Sequence, residues 1–134
     1  MTTGTRTTIC IVLPDDRIML QFRDERTPVY PLSFMNWGGS IEEGETALDC
    51  ACRELQEELG LQVNPAELTF IGNETFENIS RNIFLLWKDI QLSAIRLGEG
   101  AGFVCIPRNS INVIPTNDML KSDLERLNNY FSSL

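Results

Sequence analysis

Glu54, Glu57 and Glu58 stand at i, i+3 and i+4 in the run Arg53-Glu54-Leu55-Gln56-Glu57-Glu58. On a helix that spacing puts three carboxylates on one face, where like charges repel and lower helix stability. A divalent cation offsets the repulsion, and Mg²⁺ in particular takes hard oxygen ligands in octahedral geometry. Arg53 adjoins the same face and can hold one glutamate through a bidentate contact. A solvated charge run is the ordinary fate of acidic helix residues, and these three glutamates alone do not outweigh that reading.

The chain contains no histidine. That removes Ser-His-Asp and Cys-His nucleophilic catalysis, histidine zinc sites and histidine proton shuttles. Chemistry is left to carboxylates, Lys, Arg, Tyr, Cys or a metal held by oxygen. The four cysteines are Cys10, Cys50, Cys52 and Cys105. Only Cys50 and Cys52 are close, as C-x-C with no second pair, so the expectation is free, buried thiols rather than a zinc site or a disulfide framework. The formal net charge is −8. Nucleic-acid affinity comes largely from Lys and Arg neutralising phosphates, so an acidic chain is a poor candidate for it. A phosphorylated substrate would need cations to offset the repulsion.

The elements that must position these carboxylates are legible from pattern. The 134 residues and 43% apolar content fit one domain, 1–134, with a buried core. No apolar run reaches bilayer length, and the polar start Met1-Thr2-Thr3-Gly4-Thr5-Arg6 lacks a signal-peptide pattern, so the expectation is a cytoplasmic protein without a membrane partner. Thr7 to Leu13 and Arg17 to Phe22 alternate like strands, with Pro14-Asp15-Asp16 as the turn of a hairpin. Residues 23 to 31 read as a loop, Ser33 to Trp37 as a short strand, and Gly38 to Gly44 as a glycine-rich acidic loop. Thr46 to Leu59 reads as a helix, with Thr46 and Asp49 as a capping box and Gly60 as its left-handed stop. Leu48, Cys52, Leu55 and Leu59 form its apolar stripe, turned roughly 100° or more from the acidic face. Strands follow at Leu68 to Phe76, Arg81 to Lys88 and Phe103 to Ile106. Asp118 to Phe131 reads as an amphipathic helix with Leu120, Leu124, Leu127 and Phe131 on one face and Asn117 as its N-cap.

The whole stretch Gly39 to Leu61 resembles the Nudix box, G-x5-E-x7-R-E-U-x-E-E-x-G-U with U aliphatic. Gly39, Glu45, Arg53, Glu54, Leu55, Glu57, Glu58, Gly60 and Leu61 fill every fixed position in register. From average residue usage, a chance match in a chain this long is on the order of 10⁻⁸. The resemblance implies an α/β protein of the Nudix fold: an α/β/α sandwich with a mixed sheet, a box loop and helix, and a C-terminal helix. It implies Mg²⁺, with Mn²⁺ as a substitute, and hydrolysis of a phosphoanhydride in a small nucleotide-type substrate. By position, Glu57 and Glu58 would bind metal, and Glu54 would bind metal or deprotonate water. Arg53 would orient Glu54, Glu45 would act through water or from behind the ligands, and the Gly39 carbonyl would complete the sphere.

Outside the box, Glu99 in Leu97-Gly98-Glu99-Gly100 resembles a loop glutamate that some members place beside the metals, or is a solvated loop residue. Arg23 is a phosphate contact or a surface ion pair. Cys50 and Trp37 read as packing rather than as ligand and substrate platform. Ile114-Pro115-Thr116-Asn117 resembles the stretch of the branch that removes oxidised purine nucleoside triphosphates. The favoured reaction is therefore a nucleoside triphosphate to monophosphate plus pyrophosphate, with Asn117 either a helix cap or a base reader. A nucleoside-diphosphate sugar is the second substrate reading. A nucleotide-sensing module without turnover is the competing class, and a homodimer is left open.

Overall fold

The computed structural model describes residues 4–22, 33–76, 78–98 and 102–134. The sheet is built around β1 (Gly4–Val12). Along one edge, β1 pairs in parallel with β6 (Ile79–Trp87) over its whole length, and β6 pairs antiparallel with β5 (Leu68–Phe76). The other edge of β1 is divided. Residues 6 to 9 pair with β4 (Trp37–Ser40), whereas Ile11 and Val12 pair with β2 (Arg17–Phe22). β2 in turn carries β3 (Phe34–Met35) and β7 (Gly102–Pro107). The sheet is thus mixed and parts beside β1. Asn36 is the single residue between the strand on β2 and the strand on β1.

Alternation along the strands fills two cores. Ile9, Ile11, Leu13 and Met19 face α1 (Ala47–Leu59), while Cys10, Val12, Ile18 and Leu20 face α2 (Asp118–Ser132). A period of two forces this division, because neighbouring side chains on a strand point to opposite faces. Each helix buries one stripe on its own side, so the molecule is the three-layer α/β/α sandwich that the box resemblance implies.

α1 begins and ends as its sequence requires. Thr46 accepts from the Asp49 N–H and Asp49 accepts from the Thr46 N–H, and Gly60 takes the left-handed conformation at the far end. Its fully buried stripe is Ala51, Leu55 and Leu59, with Leu48 and Cys52 packed at the margin. The stretch expected as a loop from Gly38 starts as strand β4, because the open β1 edge takes up its backbone; glycines carry no side-chain alternation that would announce it. Short 3₁₀ turns at Pro65–Glu67, Leu92–Ala94 and Arg108–Val113 also escape a periodicity reading. Among the described residues no helix is long and apolar enough to cross a membrane.

Candidate functional site

The acidic face of α1 is organised by one guanidinium. Arg53 Nε and Nη2 donate to the two oxygens of Glu45 at 2.6 and 2.9 Å. Nη1 donates to Glu54 Oε1 at 3.0 Å and to Glu57 Oε2 at 3.3 Å, and Nη2 also reaches the Ser40 carbonyl at 3.1 Å. The bidentate partner is therefore Glu45, while Glu54 receives a single bond. These bonds hold the Glu45 carboxyl down at about 2, through hydrogen bonds first from Arg53 and then from the Glu42 backbone. Glu45 in turn raises the Arg53 pKa.

Gly39 and Glu54 meet across this face. A Cβ built at Gly39 would collide with the Glu54 carboxylate, so glycine is what admits that carboxylate to the strand. Cys50 lies beneath, fully buried, with Sγ 3.8 Å from the Gly39 carbonyl and 3.5 Å from that of Ser40. Burial raises its pKa, as it does for Cys10, Cys52 and Cys105, so none is a ready thiolate, and all are free. Trp37 is core, its indole N–H donating to the Met19 carbonyl. At the far end of α1 the Gly98 N–H donates to the Glu58 carbonyl at 2.9 Å, which brings the chain against the helix just before Glu99. Glu99 and Arg23 themselves lie outside the described residues.

Among the described residues no three acidic or thiol groups converge into a ready metal cage. Arg53 gathers Glu45, Glu54 and Glu57 instead. The donor set nevertheless fits Mg²⁺ chemically. It is all oxygen, one carboxylate rests in the space a side chain at 39 would fill, and Glu57 and Glu58 follow on the same helical face.

The family model described as the NUDIX domain matches residues 3–99. The chain belongs to the Nudix family. By enzyme class it is a Nudix pyrophosphohydrolase. The MutT protein of Methanosarcina mazei Go1 has a similar structure, with a TM-score of 0.81 at 17% identity over 96% of this chain and 95% of that one. The NUDIX domain of Shewanella oneidensis NrtR, solved with ADP ribose, gives 0.79 at 12% over 98% and 90%. The E. coli dihydroneopterin triphosphate pyrophosphohydrolase gives 0.69 at 19% over 94% and 97%. At these identities the three likenesses speak for the Nudix fold alone.

A second polar cluster, missed in the sequence, lies where the sheet parts. Arg81 is 1% exposed and joins three elements of this Nudix domain: it donates to Thr8 Oγ1 on β1 at 3.1 Å, to Asp123 Oδ1 on α2 at 2.8 Å, and to Glu74 on β5. Asp123 is fully buried and also accepts from Asn36 Nδ2 at 3.0 Å. Burial lifts the Asp123 pKa above the ordinary carboxylate range against the pull of Arg81. A signal was present, since Asp123 interrupts the stripe formed by Leu120, Leu124 and Leu127 at helical spacing. Asn117 begins the same helix. Its Oδ1 accepts from the Leu120 N–H at 2.8 Å and its Nδ2 donates to the Phe34 carbonyl at 3.2 Å, so both ends of the amide are engaged.

Proposed function

We propose that this Nudix protein hydrolyses a phosphoanhydride bond in a nucleoside diphosphate linked to a further group, using Mg²⁺ with Mn²⁺ as a substitute. The observation that carries the reading is the acidic face assembled on Arg53, with the Glu54 carboxylate seated on Gly39. Glu57, Glu58 and Glu54 would hold the ion, with the Gly39 carbonyl at the strand side. When bound, the ion supplies positive charge against the diphosphate and lowers the pKa of water. Arg53 fixes the Glu45 and Glu54 carboxylates in place. By its position in the box Glu54, the carboxylate held against the strand at Gly39, would accept the water proton. We treat residues 1–134 as one domain, since α2 closes a core on the same sheet.

The family neighbours carry quite different groups on the shared phosphates: one was solved with ADP ribose and another is named for dihydroneopterin triphosphate. For this chain a nucleoside triphosphate is the first substrate reading and a nucleoside-diphosphate sugar the second. Asn117 supports the triphosphate reading less than its sequence context does, because a base would have to displace either its cap bond or its bond to Phe34.

A nucleotide panel assayed with Mg²⁺ and with chelator tests the proposal. Turnover of at least one member, abolished by chelator, is expected. Binding without turnover would transfer the chain to the nucleotide-sensing class. Asn117→Ala in the same panel should cost about 1 kcal/mol of stability, the worth of an N-cap, and affect every nucleotide equally.

A further inference from the structure

We infer that Gly98 is a positioning residue for the end of α1: it lets the segment 96–98 lie against the last turn of that helix and so holds Glu57 and Glu58 in place for the ion. The inference rests on the proposed function, in which those two carboxylates are ligands, and deepens it.

The turn needs holding. Glu57 and Glu58 occupy the last turn of α1, which contains no basic residue. Aligned peptide dipoles put partial negative charge at that end, so acidic side chains there oppose the helix. Both also face Glu54, at i+3 and i+4, across a like-charge repulsion. The last four carbonyls of a helix lack partners within it, and local opening begins where stability is lowest. The carboxylates that suit a divalent cation are thus carried by the part of α1 least able to stand alone.

Backbone donors from outside the helix answer this. The Gly60 N–H takes the Gln56 carbonyl at 3.0 Å, as the stop residue. The next two bonds come from a distant part of the chain. Arg96 donates its N–H to the Leu59 carbonyl at 3.0 Å, and Gly98 donates to the Glu58 carbonyl at 2.9 Å. The segment 96–98 therefore caps the turn that presents Glu57 and Glu58.

Glycine is required at 98 for space. Its φ lies outside the left-handed region, so backbone freedom is not the reason. A Cβ there would collide with the Glu57 carbonyl oxygen and stand 3.5 Å from the Glu58 Cα. Those atoms are helical backbone and cannot swing aside, unlike the Glu54 side-chain end that faces Gly39. A methyl group at 98 must push the segment off the helix end, and the bond to Glu58 goes with it.

The test uses the full chain in two arms: amide hydrogen exchange in chelator, and Mn²⁺ binding read by paramagnetic resonance. Two variants are compared with wild type. Gly98→Ala adds the methyl group. Arg96→Pro removes the other donor without adding bulk beside Glu57, and Ile95 already has the extended backbone that a residue before proline requires. In wild type the Arg96 and Gly98 amides should exchange at least about tenfold more slowly than unprotected ones. In both variants the amides of Glu58, Leu59 and Gly60 should exchange faster, while the earlier turns of α1 keep their wild-type rates. The Mn²⁺ dissociation constant should rise about tenfold, the worth of one hydrogen bond. The Mg²⁺ concentration for half-maximal turnover should rise with it, with a smaller change in kcat. Should wild type bind no Mn²⁺, the metal reading falls, and loss of protection confined to the last turn still sustains the positioning of Glu57 and Glu58. Unprotected Arg96 and Gly98 amides in wild type overturn the inference, whatever the variants do. Wild-type Mn²⁺ affinity in both variants overturns it. So does failure of both variants to fold, or faster exchange throughout α1, because either marks a glycine that supports the fold alone.

Discussion

The Glu54 carboxylate lies against Gly39 in a space too small to admit a Cβ at that glycine. Strand β4 and helix α1 are thereby tied at the point where the acidic face meets the sheet. Gly39→Ala separates the two roles of this contact. The colliding atoms are the flexible end of Glu54, so the fold can relax by swinging that side chain away. Stability should fall by no more than about 1 kcal/mol, within the common range for single substitutions. Turnover should fall by roughly 10²-fold or more, because a catalytic group has been displaced by about an ångström or more. Parallel melting and kinetic measurements check this, and unchanged kcat would remove Glu54 from the machinery.

Glu57 is the exposed arm of the cluster, held to Arg53 as an i, i+4 ion pair at 3.3 Å. Glu57→Gln removes one repulsion and one attraction together. Stability in chelator should therefore stay within about 0.5 kcal/mol of wild type. With Mg²⁺, kcat should drop by roughly 10²-fold, the scale of losing a main electrostatic stabiliser. Full activity in the variant would sink the metal-ligand assignment of Glu57.

Glu45 predicts an acid-side effect. Its folded pKa of about 2 lies below the ordinary value of 4.5. The folded protein thus releases this proton more readily than the unfolded chain. The resulting contribution is complete above the ordinary value and is lost as pH falls from there towards 2. Glu45→Gln should flatten that part of the stability curve. Urea unfolding at neutral pH and near pH 3 measures it. An identical acid slope in the two proteins would mean that the Arg53–Glu45 contact does not persist in solution.

The buried pair Arg81 and Asp123 should show strong coupling. Arg81→Met leaves the fully buried Asp123 without its cation and should cost about 3–5 kcal/mol. Adding Asp123→Leu should restore a large part of the loss, since no uncompensated carboxylate remains beside Asn36. Chemical denaturation of the two single variants and the double variant closes the cycle. Additive losses would show that the pair does not act as a unit.

The sequence by itself determined the family, both helices with their caps, and the membership of the acidic face, because each is written in local spacing. Thr46 with Asp49, Gly60 with Gln56, and Asn117 with Leu120 are bonds between residues three or four positions apart, and the glutamates share a face through the helical period alone. Tertiary structure decided how that face is held. Whether Arg53 grips Glu45 or Glu54 depends on how the box loop folds back over α1, which no periodicity encodes. It also decided where the sheet parts, since β4 pairs with β1 only because β2 leaves residues 6 to 9 of that edge open. The Arg81–Asp123–Asn36 network was the least legible part. Its members are 42 and 87 residues apart in the chain, and their pairing is fixed by burial, which obliges every charge carried into the core to find a partner there.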